Sequence, residues 1–152
     1  MTNKPKRIGT AAETAVARFL QANGFPEAER RQLRGVLDAG DITGCRHVCI
    51  EVKGGEAAKS ASDGDVVAWM KEVRVETLNA DAAVGFLVMQ RRAVGPKNAG
   101  RWWAVLTVDT IRRLVGDPYY NTTYYDQTVR MHLADAVHLL REGGYGDPLE
   151  DS

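Results

Sequence analysis

The sequence predicts a single α/β domain in which helices flank a mixed β-sheet and one further helix is added at the C-terminus. Three observations lead to this fold class. The chain has 152 residues, 44% of them hydrophobic, which is enough for one core but short for two. Amphipathic helical patterns alternate with short apolar runs that are typical of strands. Read in order, these segments give α-β-β-β-α-β-β-α-α, the pattern of helices packed on a sheet.

The first predicted element is a helix that begins near Thr10 and ends at Asn23-Gly24. Thr10 and Glu13 have the spacing of a capping box, in which two side chains satisfy backbone N–H groups of the first turn. Apolar residues then recur at helical spacing. The preceding residues, Met1 to Ile8, are basic and polar, and we expect them to be flexible until they meet a partner.

An arginine-rich segment and a hairpin follow the first helix. Residues 28–35 are predicted to form a first strand or a loop. Asp41 to Thr43 and His47 to Lys53 have the pattern of two strands joined by a turn near Gly44. Residues 54–64 are rich in Gly, Ser, Ala and Lys, so we expect a mobile surface loop there.

The middle of the chain supplies a second helix and two buried strands. Asp65 can cap this helix, since aspartate accepts hydrogen bonds from the first turn. The apolar side of the helix consists of Val66, Trp69, Met70, Val73 and Thr77. Val84 to Met89 forms a continuous apolar run typical of a buried strand, and Trp102 to Val108 is predicted to lie beside it.

Two helices complete the predicted order. Asp109 begins a short helix that ends at Gly116. The last helix carries one apolar stripe and is stopped by Gly143-Gly144. The residues of that stripe are Val129, Leu133, Ala136, Val137 and Leu140. The acidic tail, residues 147–152, is expected to be disordered.

Charge is balanced overall but not along the chain. The formal net charge is zero, so no global field attracts the protein to a polyanion. Residues 1–53 nevertheless carry a balance of +3, and residues 109–152 carry −4. A polyanion would therefore be met by the N-terminal part of the chain.

The two cysteines and the hydropathy pattern exclude some classes of protein. Cys45 and Cys49 lie beside a predicted buried strand, and no further cysteine or nearby histidine completes a zinc or iron–sulfur site. We therefore expect reduced thiols that serve packing. Neither an apolar run of about 18 residues nor a signal-peptide pattern is found, which predicts a cytoplasmic protein without membrane spans.

The strongest chemical signal is a set of charged residues on the predicted hairpin. Successive side chains of a strand point to opposite faces, so Glu51 and Lys53 share one face. Asp41, on the partner strand, would place a second carboxylate beside Glu51, and the carbonyl of Val52 could add a third ligand. Magnesium prefers such oxygen ligands. Because Lys53 could orient water or stabilise phosphate charge, the pattern predicts a divalent-metal site for phosphodiester hydrolysis.

These residues carry a resemblance to a known family. Glu13 in a helix, Asp41, and the string Glu51-Val52-Lys53 together resemble the PD-(D/E)xK nuclease superfamily, in particular archaeal-type Holliday-junction resolvases and their phage relatives. Leu33-Arg34-Gly35 running into Gly40-Asp41-Ile42 adds the phage-like character. The resemblance is firmest over residues 9–53 and extends, by element order, to about residue 115.

The resemblance implies a restriction-endonuclease-like fold and Mg²⁺-dependent cleavage of DNA, with Mn²⁺ able to substitute. It also implies a homodimer that presents two active sites to a four-way junction, acting in the cytoplasm, or in a host cytoplasm if phage-encoded. Asp41, Glu51 and the carbonyl of Val52 would bind the metal. Lys53 would be the catalytic lysine, and Glu13 the helix-borne acid.

The resemblance also divides the chain. Residues 1–115 would form the nuclease-like core, and residues 147–152 would be an acidic tail. Residues 116–146, which include the Tyr119 to Tyr125 stretch and the last helix, would pack on the same domain or at a dimer interface. A tyrosine-rich segment suits either place, so both alternatives stay open.

Two departures from the family pattern matter. Gly40 stands where many members have proline, a substitution that we expect to leave the chemistry unchanged. The second departure is an ambiguity, because Arg34 to Asp38 also resembles the approach to the first metal-binding aspartate. We prefer Asp41 to Asp38, since Asp41 directly begins the predicted strand.

Basic residues near the site are candidate DNA contacts. These residues are Arg7, Arg30, Arg31, Arg34 and Lys71. Arginine and lysine beside a nuclease site can contact phosphates, but the same residues also occur on ordinary solvated surfaces. For the activity itself, the alternatives are another nuclease of the superfamily (a nickase, exonuclease or duplex endonuclease) and a non-catalytic DNA-binding protein.

Overall fold

A computed structural model of the chain describes residues 4–32, 37–117 and 127–150. In chain order the elements are α1 (Lys4–Ala22), β1 (Glu29–Arg30), β2 (Ile42–Thr43), β3 (Val48–Lys53), α2 (Gly55–Lys59), α3 (Asp63–Asn79), β4 (Val84–Met89), a 3-10 segment (Pro96–Arg101), β5 (Trp103–Thr107), α4 (Val108–Leu114), β6 (Thr128–His132) and α5 (Leu133–Glu142). The main sheet has the order β3-β4-β5-β6. Its first pairing is parallel and the other two are antiparallel. The predicted fold class is therefore confirmed: a mixed sheet flanked by helices, with a helix at the C-terminal end.

Helices cover the two faces of this sheet unequally. On one face, α1, α4 and α5 share a large core with residues such as Ile50, Phe86 and Leu106. On the other face, α2 and α3 pack on a smaller core that includes Leu87 and Met89. Strand alternation thus sends Glu51 and Lys53 towards the face that α3 covers.

Helix α1 begins at Lys4, earlier than predicted, so the expectation of a flexible stretch is wrong for residues 4–8, and Met1 to Asn3 lie outside the described residues. Close packing at its first turns explains the longer helix. A Cβ at Gly55 would lie 2.6 Å from Ile8 Cγ2, and one at Gly54 would lie 2.6 Å from Ala12 Cβ. Two glycines therefore let the start of α2 approach α1 closely.

The prediction of a mobile loop at residues 54–64 is also wrong, because part of this segment packs closely on α1. It contains α2, whose Gly55 and Ala58 are buried. Helix α3 then begins at Asp63, and its cap is Ser62 instead of Asp65. The Ser62 hydroxyl accepts the Asp65 N–H, and the Asp65 carboxylate accepts the Ser62 N–H, which forms a capping box.

The predicted hairpin is only partly correct. The turn near Gly44 is present, and Gly44 has a positive φ of 81°. However, β2 pairs in antiparallel register with β1, not with β3. A single backbone hydrogen bond from the Asp41 N–H to the Ile50 carbonyl (2.9 Å) brings the residue before β2 against β3.

The C-terminal part also differs from the prediction. Val129 belongs to β6, so the last helix begins only at Leu133. Residues 147–150 are not a free tail, because the Asp147 N–H donates to the Gly24 carbonyl at 2.7 Å. Arg141 donates to the carbonyls of Asp147 and Pro148. The Tyr119 to Tyr125 stretch lies outside the described residues.

Within the ranges that the structure covers, each helix is too short or too polar to traverse a bilayer.

Candidate metal centre

Strand β3 presents its charged residues as the alternation predicts. Glu51 and Lys53 share a face, and Lys53 Nζ lies 3.5 Å from Glu51 Oε1. Glu51 is nearly buried, with 6% of its surface exposed. A carboxylate at such a position loses most of its hydration and must be compensated by protein groups or by an ion.

The backbone of β3 binds Asp41 through the two residues that flank Glu51. The Asp41 N–H donates to the carbonyl of Ile50, and the Val52 N–H donates to Asp41 Oδ2 at 2.8 Å. Because Ile50 and Val52 flank Glu51, these two bonds fix the Asp41 carboxylate beside that of Glu51. The predicted proximity of Asp41, Glu51 and Val52 is therefore present, although β2 itself pairs elsewhere.

Gly40 has a structural role that the resemblance to the family did not predict. Its φ is +92°, and a Cβ there would lie 2.9 Å from Cys49 Sγ and 3.0 Å from the Ile50 carbonyl oxygen. Proline, whose φ is fixed near −65°, cannot adopt this conformation. The glycine is therefore required by this chain's own backbone and is not a neutral replacement for proline.

Three carboxylates form a group that could hold a metal ion: Asp38, Glu51 and Glu76. One ligand oxygen from each lies within 4.8 Å of the others. Asp38 Oδ1 accepts the Gly40 N–H at 3.1 Å, and the Asp38 carbonyl accepts the Asn79 amide. Both aspartates that competed in the sequence therefore lie next to Glu51, Asp38 on the Glu76 side and Asp41 on the other.

Glu76 is the residue that sequence reasoning missed. It lies on α3 and is 3% exposed, although the helix otherwise buries apolar residues such as Val66 and Val73. A signal was present, because position 76 follows Val73 by three residues and so falls on the buried stripe. An acidic residue at a buried helical position indicates a paired or metal-binding carboxylate.

Two buried carboxylate oxygens indicate that the group fits a cation. In the part of the chain that the structure describes, Glu51 Oε2 and Glu76 Oε2 have no hydrogen-bond partner. Burial, and then the hydrogen bond with Glu76, raise the pKa of Glu51 to about 8. Burial likewise raises the pKa of Glu76 to about 7. A cation bound by Glu51 and Glu76 would supply the missing interactions, and an all-oxygen group suits a hard divalent cation.

Asp41 and Glu13 extend the acidic cluster towards α1. Burial and the charge of Glu51 raise the pKa of Asp41 to about 7. Burial and the charge of Asp41 raise the pKa of Glu13 to about 7 as well. Since α1 begins at Lys4, Glu13 lies in the middle of the helix and cannot form a capping box with Thr10. Glu13 instead lies beside Asp41 and pairs with Arg30 Nη1 at 3.9 Å.

Lys53 is positioned by acids from two elements. Its Nζ lies 3.0 Å from Glu72 Oε2 on α3, in addition to its contact with Glu51. Burial alone would lower the pKa of Lys53, but the hydrogen bond with Glu72 and the charge of Glu51 outweigh it and raise this pKa. The amine is therefore held as a charged ammonium at the mouth of the acidic cluster.

The candidate DNA contacts are distributed unequally around the site. Arg30 lies at the site, with Nη1 3.9 Å from Glu13 Oε2. The backbone N–H of Arg31 donates to the Asp41 carbonyl, which joins Arg31 to the site. Arg7 on α1 and Lys71 on α3 are both exposed. Arg34 lies outside the described residues.

The cysteines have the predicted state. Cys45 and Cys49 are both buried and unpaired with each other. Burial raises the pKa of each thiol to about 12, so both remain protonated. Thiols in this form are poor metal ligands, which agrees with their expected role in packing.

Comparisons of the chain with protein-family models, with curated proteins and with solved structures found no match. Function is therefore argued from the residues and geometry of the site.

Proposed function

We propose that this chain is a Mg²⁺-dependent endonuclease that cleaves branched DNA, namely a Holliday-junction resolvase of the PD-(D/E)xK type. One observation carries the proposal. Asp38, Glu51 and Glu76 converge within 4.8 Å next to the ammonium of Lys53. Carboxylates paired with a lysine on one strand face suit the hydrolysis of a phosphodiester bound through a divalent cation.

The residues divide into ligands and helpers. Glu51 would be the central ligand, with Asp41, the Val52 carbonyl, Asp38 and Glu76 as the groups around it. A bound Mg²⁺ supplies Lewis-acid chemistry, because it withdraws negative charge from the oxygens of a phosphodiester. Mn²⁺, which accepts the same oxygen ligands, would be able to substitute.

The chain's own side chains supply the remaining requirements. The Lys53 ammonium can donate to a phosphate oxygen or to the attacking water, and its contact with Glu72 fixes its direction. The Glu13 carboxylate can accept a hydrogen bond from water next to Asp41. Arg30 and Arg31 place positive charge beside this acidic group, where a phosphate backbone would pass.

A homodimer is part of the proposal. A four-way junction offers two equivalent strands for cutting, and a two-fold symmetric dimer presents two identical sites to them. Paired, symmetrical cuts would follow from that arrangement.

The test is cleavage of a labelled four-way junction by the purified protein in Mg²⁺. We expect Glu51→Gln and Lys53→Ala each to reduce the cleavage rate by about 100-fold or more, because even indirect changes at metal sites cost 10–100-fold. Glu27→Gln serves as the control, since Glu27 is an exposed glutamate in the turn after α1. Wild-type rates in the Glu51 or Lys53 variant would refute the proposal.

Substrate choice is tested with four DNA substrates in parallel: a four-way junction, a flap, a single strand and a linear duplex. Symmetrical paired cuts confined to the junction support resolution. Comparable cleavage of the linear or single-stranded substrates would instead indicate a nickase, an exonuclease or a duplex endonuclease. Tight junction binding without cleavage in both Mg²⁺ and Mn²⁺ would indicate a non-catalytic DNA-binding protein.

A further inference from the structure

The sheet face that carries Glu51 and Lys53 continues across the sheet to β6. Residues level with each other on neighbouring strands share a face. One such row consists of Lys53, Met89, Trp103 and His132. The next row consists of Glu51, Leu87, Val105 and Arg130. The acidic site and the β6 end therefore lie on the same face of the sheet, on either side of the core that α2 and α3 cover.

At the β6 end this surface is aromatic and basic. The Arg91 guanidinium carbon lies 4.1 Å from the centroid of a Trp103 ring, and that of Arg130 lies 5.6 Å from it. The His132 ring packs against Trp103 at 5.7 Å, and Arg91 Nη1 lies 3.2 Å from His132 Nε2. We call Arg91, Trp103, Arg130 and His132 the Trp103 platform.

The arginines of the platform have no acidic partner in the described ranges. Other arginines on this chain do have one: Arg30 contacts Glu13, and Arg92 contacts Glu56. For Arg91 and Arg130, no described carboxylate lies within 4.0 Å. The π-face of Trp103 holds the two cations instead. Two guanidinium groups gathered on one ring, with no described carboxylate beside them, form a ready site for an anion.

The platform is also accessible. Arg130 is exposed, and Trp103 and His132 are partly buried. Trp103 packs with one side against the smaller core that α2 and α3 form with Leu87 and Met89, while Arg130 stays exposed beside it. Arg130 stands out further because residues 109–152 carry a net charge of −4. A local cationic patch within an acidic part of the chain indicates a binding role.

We propose that the Trp103 platform binds backbone phosphates of DNA, a few nucleotides from the phosphodiester that is cleaved at Glu51. This inference rests on the proposed function for the choice of DNA as the anion. Strands lie about 4.8 Å apart, so β5 and β6 are roughly 10–14 Å from β3. At about 3.4 Å of rise per nucleotide, this spacing corresponds to three or four nucleotides of one strand. Arginine forks match phosphate oxygens, and so each arginine would take one phosphate contact.

The experiment measures equilibrium binding of a fluorescein-labelled four-way junction to the full chain as a function of salt, with Ca²⁺ replacing Mg²⁺. A gel confirms that the DNA remains intact. We expect Arg91→Gln/Arg130→Gln to weaken binding and to make the slope of log K against log salt shallower by about 2, one unit for each lost phosphate contact. Arg91→Lys/Arg130→Lys, which retains both charges, should keep most of the wild-type slope.

A matched control separates a local contact from bulk charge. Arg18→Gln/Lys97→Gln removes the same charge from a groove between α1 and the 3-10 segment, on the opposite side of the sheet. This pair should leave the slope close to that of the wild-type protein. An unchanged slope in the platform pair, an equal loss in the control pair, or no binding by the wild-type protein would each overturn the inference.

Failure of this inference can be distinguished from failure of the proposed function. A protein that cleaves junctions but binds DNA independently of Arg91 and Arg130 remains an endonuclease without this contact surface. A protein that shows the expected loss of slope but never cleaves DNA retains the surface and loses the endonuclease proposal.

Discussion

At the level of single residues, the site is a group of carboxyl groups whose burial is only partly compensated by the chain itself. Glu51 and Glu76 have pKa values raised to about 8 and about 7, mainly by burial. Each has one buried oxygen without a hydrogen-bond partner in the described part of the chain, and both belong to the group with Asp38 that could hold a metal ion. Such a group is unfavourable when fully ionised and becomes favourable when a cation joins it.

This arrangement predicts how stability depends on pH in the absence of divalent ions. A raised pKa in the folded state means that the folded protein binds protons more tightly than the unfolded chain. The stability from these carboxyls is complete below about pH 4.5, the ordinary pKa of glutamate, and is lost as the pH rises through about 7 to 8. The melting temperature in EDTA should therefore fall between pH 5 and pH 8.5.

The control for this pH effect is Glu51→Gln/Glu76→Gln, which removes two of the titrating groups. Its melting temperature should vary less over the same range, and Mg²⁺ should stabilise it less than the wild-type protein at pH 8.5. A wild-type melting temperature that rises with pH in EDTA would contradict the assignment.

Gly40 gives a second prediction at the residue scale. Gly40→Ala places a Cβ at a positive φ and against the Ile50 carbonyl, so it should lower the free energy of unfolding by about 1 kcal/mol or more. Gly9→Ala is the matched control, because Gly9 lies inside α1 with nothing within 4 Å of an added Cβ. Alanine there should stabilise the protein by about 0.5–1 kcal/mol. Urea denaturation measures both, and equal effects would contradict the backbone argument.

At the level of elements, a real and an apparent helix cap can be compared. Ser62 caps α3 in a capping box, whereas Thr10, which has the same sequence pattern, lies inside α1. Ser62→Ala should therefore lower the free energy of unfolding by about 1 kcal/mol. Thr10→Ala should be neutral or slightly stabilising, because alanine is the better helix former. A cost at Thr10 as large as that at Ser62, measured by urea denaturation, would place the start of α1 near residue 10.

Elements dominated by burial could be predicted from the sequence, and those decided by tertiary contact could not. The apolar run of β4 from Val84 to Met89 was predicted to the residue. Strand β6 was missed because Thr128 to Arg130 are exposed, so its pattern lacks an apolar period. Only its pairing with β5 makes this segment a strand. Likewise, the short helix α2 depends on contacts of Gly55 with α1, which no local pattern reveals.

The site residues likewise divide into those that the sequence predicts and those that only tertiary packing brings together. Strand alternation predicts that Glu51 and Lys53 share a face, as they do in the structure. The preferred aspartate, Asp41, also lies near Glu51. Glu76 was missed because it lies on another element and reaches the site only through the packing of α3 on the sheet. Sequence order alone could not have brought Asp38 and Glu76 to one place.

At the level of the whole molecule, the two faces of the sheet differ in what they carry. One face is covered by α1, α4 and α5 and forms the larger core. The other carries the acidic cluster near β3 and the Trp103 platform at β5 and β6. A nucleic acid that contacts both ends of this second face, outside the core that α2 and α3 cover, would meet ligands for a cation at one end and arginines at the other. The homodimer remains a prediction about how two such faces are presented to a junction.

Anomalous diffraction from crystals grown with Mn²⁺ can show whether the acidic cluster is a metal centre. We predict an anomalous peak in contact with carboxylate oxygens of Glu51 and Glu76, which also reveals whether Asp38, Asp41 or both complete the ligands. The peak should be absent from crystals of Glu51→Gln/Glu76→Gln. Ordered wild-type crystals with no peak at this cluster in saturating Mn²⁺ would contradict the account.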